Sequence, residues 1–594
     1  MNSRNKAGLQ ILKVALFLGV LGDILLRTKP WGLNVLLFNL AFAGALIILL
    51  RRNAPERLTM QTYSLLAALV FFASMFVWRD AIELRVADTI AILTILGVLF
   101  LPTLKITAKF AGIFQYAVGF AWAAVNSLFA PVALLAADIR WNEMQAVGWR
   151  RHLLSVVRGM LIAAPLLLIF GALFVAADAV YEGWIRSLLN VDFENLFSHG
   201  ALFAVFAWLT AGYFRGLVFA GSASATEASL SILTPENQKP EESKVDQVRA
   251  ESGEYPVVLP DSKTVVEHIN ISDPPQWEAT DSSAQTETDA GNVLAAKGSS
   301  WSWAMIDNSI VPGFTLGAVE IGVVLGLINL LFLSFVIVQV PYLFGGMELV
   351  QNTPDFKLAD YARRGFGELV AVAFIVLPVL LGSHWLIKKE TPGAEKLFRI
   401  LAGIQIALLF VIMASAVQRI VLLTGDLGYG LTTVRLYPLI FITWLAIVFL
   451  WFVGTVLRGA RRHFAWGALW SAFFILAATH VLNPDALIVR TNIALMQQGR
   501  EFDAYYNSSL SDDSLPPLFE ALPEMSLKNR CEVGSAIHYR YRQLGQEVDL
   551  RSWNLSRRNA WAVLRANDAL LHQTDGCPEQ FSNDKDGDTD VTRD

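Results

Sequence analysis

Six ionisable side chains interrupt long apolar runs of this chain: Asp23, Arg215, Glu320, His384, Arg419 and His480. A charge inside a bilayer is costly unless it is paired, so each of them is a candidate for a proton or ion relay. Arg215 lies near the end of one run and Glu320 near the start of the next, each about 9 Å from the same side at 1.5 Å per residue. Their pairing would join the two halves of the chain. The plainer reading is a structural ion pair, or side chains that snorkel to the near interface. His384 and His480 stand near run ends and read as interfacial residues rather than proton carriers.

Three arginines, Arg363, Arg364 and Arg435, sit just outside apolar runs, where a guanidinium fork suits a phosphate or carboxylate. They are a candidate anion site, and ordinary headgroup anchoring is the alternative. Cys531 and Cys577, the only two cysteines, flank two successive helical patterns. If those helices pack antiparallel, the cysteines are neighbours, and a disulfide between them is expected. The scattered histidines show no metal-ligand spacing, so no metal is expected. In the tail "NDKDGDTD", Asp584, Asp586 and Asp588 imitate a calcium loop, but Thr589 replaces the required glycine, and a solvated tail is expected. Neither a phosphate-binding G-x-x-x-x-G-K-[ST] nor G-x-S-x-G nor H-E-x-x-H occurs. No cofactor, no nucleic-acid partner and no enzymatic activity are expected.

The elements that carry these residues follow from composition. Of 594 residues 54% are hydrophobic and 17% charged, and mean hydropathy is +0.46, which excludes an ordinary soluble domain. The apolar residues fall into runs at 9–26, 31–50, 61–78, 86–104, 112–137, 153–177 and 200–221, then 316–340, 367–387, 398–423, 436–457 and 464–482. Each is long enough for a helix to cross hydrocarbon, and none alternates as a barrel strand does. The fold expected is all-α: a polytopic transmembrane helical bundle of 11–12 spans in two groups, 1–221 and 311–482, embedded in a lipid bilayer. Between them, residues 222–310 are rich in Pro, Ser and acidic residues. The stretch 222–300 alone holds 14 acidic against 5 basic side chains, so a disordered tether or docking segment is expected. After residue 482 a small soluble helical module is expected, with helices in "NPDALIVRTNIALMQQG", "SLKNRCEVGSAIHYRYRQLG" and "LSRRNAWAVLRANDALLHQ".

Loop charges set an orientation. Arg140, Arg150, Arg151, Lys388, Lys389, Lys396, Arg399, Arg458, Arg461 and Arg462 fall in alternate loops, opposed by Arg186, Lys357, Arg363, Arg364 and Arg435. The positive-inside rule places the first set, and the linker, in the cytoplasm, and the C-terminal module outside, where a disulfide persists. Arg4, Lys6, Arg51, Arg52, Arg57, Lys105 and Lys109 place the N-terminus inside as well. Twelve crossings cannot satisfy both. The run 112–137, with Gln115, Asn126 and Pro131, is expected to lie as an interfacial or re-entrant segment, twelve true spans being the alternative.

The stretches "YLFGGMELVQNTPDFKLADYARRGFGELVAVA" and "GYGLTTVRLYPLIFITWLAIVFLW" resemble a bacterial multi-pass membrane family, the domain of unknown function 4173 group and its relative 4153. "NPDALIVRTN" and "DLRSWNLSRRNAW" look like its C-terminal signatures. The resemblance implies a bacterial inner-membrane protein of unassigned activity, with no catalytic residues to carry over. Two functions fit: a non-enzymatic envelope protein whose outer module binds or senses a partner, or a secondary transporter or lipid or anion carrier.

Overall fold

Backbone that leaves water must satisfy its hydrogen bonds within itself, and a long apolar run does so as a helix. The computed structural model describes residues 3–140, 193–219, 318–344, 366–387, 392–425, 430–544 and 549–567. The first group of helices is α1 (Ser3–Leu26), α2 (Leu33–Asn53), α3 (Met60–Trp78), α4 (Ile82–Val98), α5 (Ile113–Ala133) and α6 (Phe193–Phe219). The second is α7 (Ala318–Phe344), α8 (Phe366–Leu386), α9 (Pro392–Thr424), α10 (Thr433–Thr455) and α11 (Phe464–Leu482). These eleven are long and apolar enough to cross a membrane, so the protein is an all-α polytopic helical bundle. The run 153–177 lies outside the described residues. Large apolar side chains such as Leu330, Leu331, Phe374, Leu450 and Phe474 stay exposed on the helix flanks, as a lipid-facing surface requires.

Met1–Ser222 and Trp303–Asp594 form one compact unit; the second unit, Ala223–Ser302, holds most of the acidic linker and lies outside the described residues. Within the first unit, α1 runs antiparallel to α6 with close backbone approach. A Cβ on Gly19 would meet that of Ala207 at 2.7 Å, and one on Gly22 would meet the Phe206 ring at 2.6 Å. The core of α7 to α10 is separate, built around Phe398, Leu409, Leu445, Phe449 and Phe452. Helix α11 belongs by sequence to the second group, yet it packs into the first core, where Phe473 meets Phe72 at 5.1 Å between ring centroids.

The helix ends gather at two poles. At one, Arg4 of α1 meets Asp138, and Phe110 packs edge-to-face against His463 just before α11. At the other, Asp23 and Arg27 of α1 meet His199 and Ser198 at the start of α6, and His480 at the end of α11 meets Asp88 near the start of α4. Helix α5 begins at the first pole, where Tyr116 donates to Ala108 O at 2.8 Å. It continues through a π-helical turn to Asp138, whose carboxylate pairs with Arg4 at that same pole. Both ends of the 112–137 segment therefore lie at one pole. Its outward face is apolar, with Phe114, Phe120, Leu128, Phe129 and Val132 exposed.

The C-terminal module packs on the second pole. It contains α12 (Pro484–Gln497), α13 (Ala504–Ser509), α14 (Leu515–Ala521), α15 (Leu527–Leu544) and α16 (Leu555–Ala566). Helix α12 ends where expected, with Gly499 at φ +83°, a conformation that costs glycine nothing. Ile488, Leu518, Val533, Ile537 and Ala560 form the module core, joined by Leu431 from the turn before α10 and Leu436 from its first turn. The short helices α13 and α14 carry no apolar repeat long enough to read from sequence, and they separate α12 from α15. Helices α15 and α16 meet through the module core rather than as a simple antiparallel pair.

Candidate functional site at the junction of module and bundle

Every helix leaves unpaired N–H groups at its start and unpaired carbonyls at its end, and these need partners wherever water is excluded. At the module pole the segment Asp549–Arg557 supplies them. Arg551 NH1 donates to Ile24 O at 2.6 Å, at the end of α1. Leu33 N, at the start of α2, donates to Trp553 O at 2.9 Å. Asn554, only 2% exposed, donates from Nδ2 to Phe76 O at 2.8 Å and to Arg79 O at 2.9 Å, closing the end of α3. The same side chain's Oδ1 accepts from Arg557 N at 3.0 Å and so caps α16. A Cβ at Gly32 would collide with Trp553 O, so the close approach requires glycine there.

Charges reinforce the seam. Arg557 donates to Asp80 Oδ1 at 3.1 Å and to Trp31 O at 2.9 Å; burial pulls its guanidinium below the ordinary value, with Asp80 opposing. Asp513 accepts from Arg79 NH1 at 3.0 Å and from Asp80 N at 2.9 Å. Its neighbour Asp512 accepts from Arg540 at 2.6 Å. Burial lifts the Asp512 carboxyl to about 6, the Arg540 charge only partly offsetting it. Asp485 is raised for the same reason, with hydrogen bonds from Ser511 opposing. On the other side of the junction, Asn492 clamps the turn before α10: its Oδ1 accepts from Leu431 N at 2.6 Å and its Nδ2 donates to Leu431 O at 3.0 Å.

Directly beneath the seam lies a buried pair. His480 is 0% and Asp88 1% exposed, and His480 Nε2 stands 3.0 Å from Asp88 Oδ2. His480 Nδ1 is 2.9 Å from Leu476 O, which only accepts, so Nδ1 carries a hydrogen. The bond to Asp88 then needs one further proton, shared as imidazolium and carboxylate or as imidazole and carboxylic acid. The pair is neutral overall in either form. The His480 carbonyl in turn accepts from Arg79 Nε at 2.8 Å, which ties the pair to the seam.

The residues singled out from sequence are dispersed. Asp23 pairs with Arg27 at 3.3 Å and His199 at 2.6 Å. Arg215 pairs with Asp138 at 2.5 Å, and Glu320, a partner weighed for it from sequence, is exposed at the start of α7. Asp138 lies just past the α5 helix proper, and nothing in the sequence marked it as an intramembrane partner. His384 rests on the Phe398 ring. His480 is buried at the end of α11 and faces Asp88. Arg435 NH1 donates to Gly430 O, while Arg363 and Arg364 lie outside the described residues. Cys531 is buried on α15, and Cys577 lies outside the described residues. Asp88, a carboxylate inside an apolar run, carries the same sequence signal as Asp23 yet was not among the candidates. Asn554 carried a visible signal too, an N-cap residue opening a helical pattern.

No curated protein and no solved structure matches this chain. The family described as "Domain of unknown function (DUF4153)" matches residues 66–240 and 293–521. The match takes in the pair Asp88–His480, the seam residues Arg79, Asp80, Asp512 and Asp513, and the "NPDALIVRTN" motif. It ends before Asp549–Arg557, so "DLRSWNLSRRNAW" lies beyond the matched residues. With most of its length matched, the chain belongs to the DUF4153 family, whose function is unknown.

Proposed function

We propose that the protein is a non-enzymatic bacterial inner-membrane protein whose C-terminal module lies outside the cytoplasm and binds or senses an envelope partner. The observation that carries this reading is the seam: one segment of the module completes the hydrogen bonding at the ends of α1, α2 and α3. Anything that shifts the module is thereby felt at the helix ends. The orientation draws on the basic residues of the opposite pole, among them Arg4, Arg51, Arg52, Lys105, Lys109, Arg461 and Arg462. Helix α5, with both ends at that pole, supplies the non-crossing segment that an inner N-terminus and an outer C-terminus require. A disulfide between Cys531 and Cys577 belongs to the same proposal.

Impermeant maleimide applied to intact cells tests it in a Cys531→Ser, Cys577→Ser background. Tyr539→Cys on the exposed face of α15 is expected to label directly, and Lys109→Cys only after permeabilisation. The reverse pattern would overturn the orientation. For function, a chain lacking 483–594 is expected to fail to restore the phenotype of cells without the protein; restoration by the bundle alone would refute a binding role for the module.

The Asp88–His480 pair favours a second reading, a secondary transporter or lipid or anion carrier, because a protonatable pair buried in a bundle is a usual element of such proteins. Arg363, Arg364 and Arg435 would receive the anion, with Arg215 and Glu320 near the inner side. Replacing Arg435 with Lys is then expected to abolish flux in vesicles at normal expression.

A further inference from the structure

We infer that a phospholipid binds where α1 meets α6 at the module pole, its phosphodiester held by Arg27 and His199 and an acyl chain lying along α1. The site stands whichever side of the membrane the module faces. Its head is built around one carboxylate. Asp23 Oδ1 accepts from Arg27 Nε at 3.3 Å, and Oδ2 lies 2.6 Å from His199 Nδ1. A carboxylate only accepts, so Nδ1 carries a hydrogen, and Nε2 of this half-exposed ring can donate once the ring is protonated. Arg27 also donates from NH2 to Ser198 Oγ at 2.8 Å. Among the described residues, Arg27 NH1 and His199 Nε2 have no hydrogen-bond partner. Asp23 is thus the positioning residue: it orients two basic groups and leaves each with an open N–H. The neighbouring Asp549 and Arg551 pair with each other and add no net charge.

With the ring protonated, two cations face one carboxylate, and a phosphodiester supplies both the missing negative charge and the acceptors that a guanidinium fork suits. The helix below says which phosphate. Phe17, Val20 and Ile24 recur at three- and four-residue spacing on α1 and are exposed, so they face hydrocarbon. Arg27 continues that series one residue past the helix end. From Phe17 to Arg27 is about 15 Å at 1.5 Å per residue, half of a hydrocarbon core roughly 30 Å thick. With Phe17 at the midplane, Arg27 therefore stands at the level of the lipid phosphates. The apolar surface continues onto the module at exposed Leu550, whose neighbour Arg551 donates to Ile24 O. On the next face of α1, Gly19 and Gly22 let α6 approach closely, which brings His199 beside Arg27.

The test uses the full chain, purified and delipidated in detergent, with thermal unfolding followed by tryptophan fluorescence. Phosphatidylglycerol is expected to raise the midpoint in a saturable way. Diacylglycerol with the same chains, which lacks the phosphate, and inorganic phosphate, which lacks the chains, are not. Arg27→Gln is expected to weaken the apparent affinity about tenfold or more, as loss of a charged hydrogen bond does. Because that change also releases Asp23 and Ser198, His199→Asn serves as the second variant. Its amide keeps a donor towards Asp23 and removes the outer ring nitrogen, so it is expected to weaken the response at an unchanged basal midpoint. Lys109→Gln, at the opposite pole, is expected to leave the response as it was. No response to phosphatidylglycerol, an equal response to diacylglycerol, or an undiminished response in either folded variant overturns the site. Equal loss in Lys109→Gln would reduce it to unspecific attraction, and an equal response to inorganic phosphate would replace the lipid by a free anion; both also overturn it.

Discussion

The seam makes Asn554 the most informative residue to change, because its two ends do different work. Oδ1 caps α16, whereas Nδ2 closes the end of α3 through Phe76 O and Arg79 O. Asn554→Asp keeps the cap, since a carboxylate accepts from Arg557 N at least as well. It removes both donated bonds and turns an anionic oxygen towards two carbonyls. Each lost bond is worth about 1 kcal/mol net, and each carbonyl left without a partner adds more, so docking of the segment is weakened by about 3 kcal/mol. At 1.4 kcal/mol per factor of ten, local opening becomes about a hundredfold more frequent. Hydrogen exchange in the full chain reads this at the Leu33 amide, whose acceptor is Trp553 O. Its exchange is expected to quicken by about two orders of magnitude, while amides in the interior of α16 keep their protection. If Leu33 stays as protected as in the parent chain, the seam does not hold the module. If α16 loses protection equally, Asn554 acts only as a helix cap.

Other outcomes follow from the same geometry. Gly32→Ala forces a Cβ into Trp553 O and is expected to expose the Leu33 amide, whereas Gly44→Ala, with nothing within 4 Å, is expected to leave exchange at the seam unchanged. His480→Ala strands a buried carboxylate and is expected to cost about 3–5 kcal/mol; Asp88→Asn, which still donates to Nε2, is expected to cost roughly 1 kcal/mol, both read by thermal unfolding in detergent. Burial holds the Asp512 carboxyl near 6 rather than 3.8, so the folded chain keeps a proton that the unfolded chain has released. Its contribution is present in full below the ordinary value and is lost as pH rises through about 6, by at most about 3 kcal/mol. Asp512→Asn is expected to flatten that slope of stability against pH.

The apolar runs were legible because length and composition suffice to specify a helix in lipid, and the module helices because caps and period-3.6 patterns mark them. Helix placement was not legible. Helix α11 is apolar on every side, so no face in its sequence announces that it packs on α3 and α4 as well as on its chain neighbour α10. For the same reason Arg215 could not be matched to Asp138, nor His480 to Asp88, which stands 392 residues away. Intramembrane partners are chosen by which helices touch, and that choice is made by small residues such as Gly19 and Gly22 whose spacing alone names no partner. Asn554 shows the converse: its capping role was readable from its own helix, while its hold on α3 exists only in the assembled fold.

Arg79 joins two features that otherwise look independent. Its NH1 binds Asp513 of the module, its Nε binds the last-turn carbonyl of His480, and His480 holds the proton shared with Asp88. A change in the pair alters the charge carried by the imidazole and so the pull on that carbonyl; a change in docking alters whether Arg79 is held there at all. The two should therefore couple energetically. A double-mutant cycle with Arg79→Gln and Asp88→Asn measures this, with protection of the Leu33 amide as the readout. Contacting residues in one network show interaction energies above about 0.5 kcal/mol, and separate sites add. Non-additivity of that size would mean that the proton state of the bundle and the seating of the module report on one another. Strict additivity would reduce the pair to a structural element of the core and leave the module to act alone.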